Sequence, residues 1–355
     1  VGGESPLEFL VLAISSTFDG WCIDMKKTLI GTALLWSAFG AWACASCGCS
    51  LNTDYGSQGM GNNGGWTLDL RYDSVNQNQL RSGTSGISLS DARRATNVVT
   101  GAPAEAEGYT HNRYLTASLD YNDGEQWGLT ALVPMVSRQH MTYGAGGDGA
   151  YTSKDAGLGD VKLLGRYFGW AEMRDWGLQL GLKLPTGRFN ATDTTGNTPV
   201  DPGLQLGSKT TDLLMGAYKF GPLWGTDEWG YFLNVQFQRA LNNSQIPANL
   251  VNLGETGTYH PGNALHWNIG FNYHGFEQWT PTLQFNYLSK KADGGTAGDT
   301  WATGGRLLYV TPGAMVNLND QTKLLLNLQL PLYQNVNGIQ LAPKYIASVG
   351  VRMGF

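Results

Sequence analysis

The chain has 355 residues, of which only 14% are charged, with a formal net charge of −5, 49 glycines and 12 tryptophans. That charged fraction lies well below the roughly 25% of an ordinary soluble domain, and the absence of any basic cluster argues against a nucleic-acid partner. A mean hydropathy of −0.22, with no stretch beyond residue 50 near the roughly 20 apolar residues of a spanning helix, excludes a helical membrane bundle.

Residues 1–24 precede Met25 and are expected to reflect a start placed too early. Met25-Lys26-Lys27 then leads into an apolar run from Leu29 to Trp42, followed by Ala41, Ala43 and Ala45 at cleavage spacing. Residues 25–45 therefore read as a secretory signal, cut after Ala43 or Ala45, and too short to serve as an anchor. Beside the cut, Cys44, Cys47 and Cys49 form C-x2-C-x-C. Such thiols could hold a soft metal, or pair as a disulfide in an oxidising compartment. Trp42 speaks against lipidation of Cys44, and there is no C-x-x-C-H for haem. The rest of segment 46–65 is rich in Gly and Asn from Gly56 to Gly65. It builds no core of its own and is read as a mobile lead-in or as a plug in a barrel mouth.

From residue 66 to 355 a period of two dominates. Five segments open on a tryptophan and alternate apolar with polar or small residues: Trp66 to Tyr72, Trp127 to Val133, Trp176 to Leu184, Trp229 to Phe237 and Trp279 to Tyr287. Residues two apart share one face of a strand. Trp66, Trp127, Trp176, Trp229 and Trp279 thus fall at the same end of successive strands, as an aromatic girdle does at a membrane interface. Return strands alternate likewise at Leu115 to Tyr121, Val161 to Tyr167 and Leu265 to Tyr273. Segments 209–220 and 304–316 alternate too weakly for their faces to be assigned.

Short connections near 122–125, 170–175, 221–228, 274–278 and 317–322 alternate with long ones near 75–111, 138–157, 186–208, 242–262, 289–303 and 332–343. Periplasmic turns and external loops of outer-membrane barrels alternate in this way. The last strand places Val349, Val351, Met353 and Phe355 on one face, and its terminal aromatic resembles an outer-membrane assembly signal. The expected fold is all-β: a transmembrane antiparallel up-and-down barrel of about twelve strands, with both termini periplasmic. Its expected partners are outer-membrane lipid, the barrel assembly machinery and a small-molecule solute.

Gly157-Leu158-Gly159-Asp160-Val161 before one strand, and Leu182-Lys183-Leu184-Pro185-Thr186-Gly187 ending the next, resemble the family named for the MetA pathway of phenol degradation. Thr311-Pro312-Gly313, Leu330-Pro331-Leu332-Tyr333-Gln334 and the closing strand extend the likeness over about residues 110–355. The resemblance implies an outer-membrane transporter of small molecules. Read physically, Gly157 and Gly159 would permit positive φ at a loop-to-strand turn, and Pro185 would end ladder donation.

The inward face carries Asp69, Arg71, Asp73, Asp120, Asp160, Lys162, Arg166, Lys183 and Arg352. Charges of both signs read as lumen-lining residues, either along a solute path or as ion pairs filling a narrow bore. Of the five histidines, His111, His140 and His260 fall in or beside external loops and His274 in a turn; only His266 lies inward on a strand, without an evident serine partner. No enzyme and no cofactor is expected. The leading function is passage of small, hydrophobic or aromatic solutes through the lumen. The alternative is a scaffold barrel whose cysteine-rich N-terminus serves a metal or redox partner.

Overall fold

The computed structural model describes residues 55–60, 64–144 and 149–355. The signal segment and Cys44, Cys47 and Cys49 lie outside the described residues. Twelve strands build the wall: β1 (Gly65–Gly83), β2 (Ala106–Asn122), β3 (Trp127–Tyr143), β4 (Ala150–Leu158), β5 (Lys162–Tyr167), β6 (Trp176–Lys183), β7 (Asp212–Pro222), β8 (Trp229–Ala240), β9 (Ala264–Tyr273), β10 (Trp279–Lys290), β11 (Gly305–Asn317) and β12 (Thr322–Gly354). Neighbours pair antiparallel, and β12 pairs with β1, so the sheet closes on itself. Closure leaves no backbone edge to satisfy in lipid.

Two elements need reading together. β4 and β5 both pair with β3, at 135–143 and 127–132, so they are one pass interrupted at 159–161. β12 pairs with β11 through Lys323 to Val336 and with β1 through Val336 to Gly354. Because β11 already runs opposite to β1, β12 must reverse within itself. It does so beside Gly338, whose φ of 53° a side chain would strain. Counting β4 with β5 once and β12 twice, the chain makes twelve passes.

Strand alternation sorts side chains as the sequence implied. Leu70, Leu115, Leu129, Leu178, Leu233 and Leu283 are exposed outward, while Asp69, Arg71, Asp73, Asn234 and Gln284 are buried. At the short-turn end the five girdle tryptophans are exposed and join other outward aromatics. Trp66, Tyr121 and Trp127 pack in series with ring centroids 4.9 and 5.4 Å apart, and Trp229, Tyr273, Phe276 and Trp279 at 4.8, 5.4 and 4.8 Å. Phe355 closes the ring by exchanging two backbone hydrogen bonds with Trp66, at 2.9 and 3.1 Å.

The far end departs from the sequence reading. Segments 138–157 and 332–343 are not long loops, and 75–111 is a loop only between Gly83 and Ala106: β1, β2, β3, β4 and β12 continue into them as ladder. β1 has 19 residues, against the roughly 9–11 needed to cross a bilayer. Beyond the lipid, outward residues need not be apolar, so pairing persists where the alternation that would signal it has stopped. His111 and His140 accordingly sit on β2 and β3.

Candidate functional site: the barrel lumen

Most of the predicted inward charges are brought together in pairs. Arg352 meets Asp69 at 2.9 Å, Arg71 meets Asp73 at 2.9 Å, and Arg166 meets Asp120 at 2.7 Å. Lys183 lies 3.1 Å from both Asp160 and Asp212. Side-chain hydroxyls complete the sets: Ser348 donates to Asp73, Thr130 to Asp120 and Thr210 to Asp212. Lys162 differs. It faces the lumen half-buried, and among the described residues it makes no ion pair and no hydrogen bond.

The two glycine-containing motifs form a single crossing. Asp160, in the break between β4 and β5, accepts from the Gly187 amide at 3.0 Å and from the Ser208 amide and hydroxyl at 2.9 Å each. Thr186 donates its hydroxyl to the Gly159 carbonyl and accepts from the Val161 amide, both at 2.9 Å. Gly157 and Gly159 are not among the positive-φ glycines, so the conformational reading of them is corrected. At Gly159 close approach is the reason instead, since a Cβ there would lie 3.0 Å from Val136 Cγ2 and 3.2 Å from Pro134 Cγ. A Cβ on Gly187 would lie 2.7 Å from the Cα of Gly207 and 3.0 Å from the carbonyl carbon of Gly159.

Sequence reasoning missed how apolar the lumen is. Leu214, Tyr218 and Phe220 on β7, Phe232 on β8, and Leu307, Tyr309 and Met315 on β11 are buried inward. All but Phe232 belong to the two segments whose faces could not be assigned. Apolar residues on both faces erase the period of two, and that loss was itself the signal.

Between the paired charges lies a cavity of about 210 Å³. Its lining runs across neighbouring strands: Arg71 and Asp73 on β1, Tyr114 and Thr116 on β2, Leu132, Pro134 and Val136 on β3, then Asp160 and Lys162, with Leu206 added from the loop before β7. Towards the short-turn end the described segment 55–60 crosses the bore, with Tyr55, Ser57 and Gln58 buried. Tyr55 packs on Met315 and Leu325, under the Arg352 guanidinium at 5.7 Å from its ring. Ser57 accepts from Asn234 at 3.2 Å, and a Cβ on Gly59 would touch the Phe220 ring. Four strands, β12 through both its arms, hold these six residues.

At the opposite end the loops fold over the bore. Val200 and Leu204 pack on Leu341, and Ala92 and Ala106 pack on Ile339. Burial raises the Asp299 carboxyl to about 6 against the pull of the Ala302 and Trp301 amides. Burial, with Asp299 nearby, also lifts Asp201 well above the usual range. A carboxyl whose folded value is raised stabilises most when protonated, below about pH 4, and that contribution is lost as pH rises through about 6. Hydrogen exchange corrected for intrinsic rates should therefore be faster in residues 200–206 and 299–304 at neutral pH than in mild acid. Asp299→Asn should flatten the difference, and equal protection in both buffers would refute it.

Among the described residues, the hydrogen bonds of His140 and His260 run to Thr110, Thr142 and Asn243. The model of the family described as "Putative MetA-pathway of phenol degradation" matches residues 95–338. No curated protein is similar to the chain in sequence. Among solved structures, the COG4313 outer membrane channel from Pseudomonas putida F1 superposes with a TM-score of 0.55 at 12% identity, covering 82% of this chain and 96% of that one. The Ralstonia pickettii toluene transporter TbuX superposes at 0.44 and 10% identity, covering 82% and 90%. The first shares the fold; the second is too distant to bear on the argument.

Proposed function

Because the chain belongs to the family described as "Putative MetA-pathway of phenol degradation", we propose that it passes small, hydrophobic or aromatic solutes through its lumen. It is an integral outer-membrane barrel with the fold of an outer membrane channel. The observation that carries the reading is the cavity of about 210 Å³ that the bore retains, with Leu132, Pro134, Val136 and Leu206 in its lining. A barrel serving only as a scaffold would have no need of that space, and the alternative of a metal or redox scaffold finds no support in family or fold.

In this reading segment 46–65 is a plug, both termini face the periplasm, and Phe355 is read by the barrel assembly machinery. The paired inward charges line and brace the path, while the tryptophan girdle marks the membrane interface. The protein is a conduit and not a catalyst. Cells producing the full chain should take up small aromatic solutes faster than cells without it. Equal uptake of every such solute, together with electrically silent protein in planar bilayers, would sink the proposal.

A further inference from the structure

We infer that Lys162 and the cavity beside it form a binding site for a small aromatic carboxylate. The inference rests on the channel reading and narrows its solute class. It follows from counting donors and acceptors around the cavity.

Each carboxylate near this space is already engaged. Asp73 accepts from Arg71 at 2.9 Å and from Ser348 at 2.5 Å. Asp160 accepts from two backbone amides, the Ser208 hydroxyl and Lys183. Asp212 accepts from Thr210, Gln238 and Lys183. Arg71 is spent on Asp73. Lys162 stands within electrostatic range of Lys183 and Arg71 as well as of Asp212 and Asp160, but Lys183 holds both carboxylates. The surplus is therefore in donors: an ammonium offers three, and Lys162 uses none among the described residues. A ligand completing the site supplies acceptor oxygens, and a carboxylate makes the strongest such bond with an ammonium.

The strand beside Lys162, where Leu132 is its ladder partner, sets the rest of the ligand. Leu132, Pro134, Val136 and Leu206 offer no donor or acceptor from their side chains, so this part of the lining takes an apolar body. An apolar cavity of about 150 Å³ can hold benzene. The 210 Å³ here accommodates one ring with a carboxylate directed at Lys162. A hydrocarbon alone would leave the ammonium without a partner, and an aliphatic dicarboxylate would put charge against the leucines.

The test compares uptake of benzoate and toluene by cells producing the full chain as wild type, Lys162→Met or Lys162→Arg, at matched amounts of heat-modifiable folded barrel. The benzoate-to-toluene ratio should fall about tenfold or more in Lys162→Met, the scale of one lost charge-assisted hydrogen bond, and be largely kept in Lys162→Arg. If Lys162→Met does not reach the membrane, Leu206→Asp supplies an internal carboxylate to the ammonium and should depress the ratio in the same way. An unchanged ratio in the variant that folds, or wild type that takes up toluene but no benzoate, overturns the inference and leaves the channel standing. Wild type that takes up neither defeats the channel reading itself.

Discussion

Deleting residues 46–65 is expected to turn a barrel of low conductance into one with a steady, several-fold larger current. Residues 55–60 are wedged across the bore, gripped through Tyr55 by Met315, Leu325 and Arg352, through Ser57 by Asn234, and through Gly59 by Phe220. These contacts come from β7, β8, β11 and both arms of β12, so the segment obstructs the bore instead of lying along one wall. A substitution provides an independent route. A Cβ on Gly56 would lie 2.5 Å from the Arg166 guanidinium, so Gly56→Leu should dislodge the segment from an otherwise intact chain. Planar-bilayer recordings of both variants decide the matter. Wild-type conductance in the deletion, with folded barrel confirmed by heat-modifiability, would show that the segment does not limit passage.

Lys183→Gln should be the most destabilising single neutralisation in the lumen. It leaves Asp160 and Asp212 facing each other without the ammonium that lies 3.1 Å from each, and breaking a buried pair by removing one partner costs about 3–5 kcal/mol. The loss should appear as a marked drop in the melting temperature of the purified barrel. Combining it with Asp212→Asn should recover part of the loss, because one of the stranded charges is then gone. Arg71→Gln should cost less, since it takes the partner from one carboxylate, Asp73, and not from two. Unchanged melting of Lys183→Gln alongside altered conductance would mean that this cluster lines a path without bracing the wall.

The period-two alternation by itself determined which way the strands face; that the sheet closes followed from the membrane setting, where an open edge has no partner. A residue's parity decides whether it meets lipid or lumen, and the barrel leaves no third choice. Asp69, Arg71, Asp120, Arg166 and Arg352 were legible as inward residues for that reason, and so was the belt of tryptophans. Strand ends beyond the bilayer were not legible, because backbone pairing at Gln77 or Gln340 leaves no pattern in side-chain polarity. The apolar lining at Leu214, Phe220 and Tyr309 was hidden because both faces of its strands are apolar. Gly187 and Gly207 are twenty residues apart, and only the tertiary fold presses them together. The sharpest case is the pair Lys162 and Lys183, which are directly opposite each other in the ladder and share the same parity. In sequence they are two equivalent inward lysines. The loop from 184 to 211 and the start of β7 bring Ser208, Thr210 and Asp212 to Lys183 and leave Lys162 facing open space. Partner choice inside a barrel depends on which distant segments fold into the bore, and local periodicity carries no record of that.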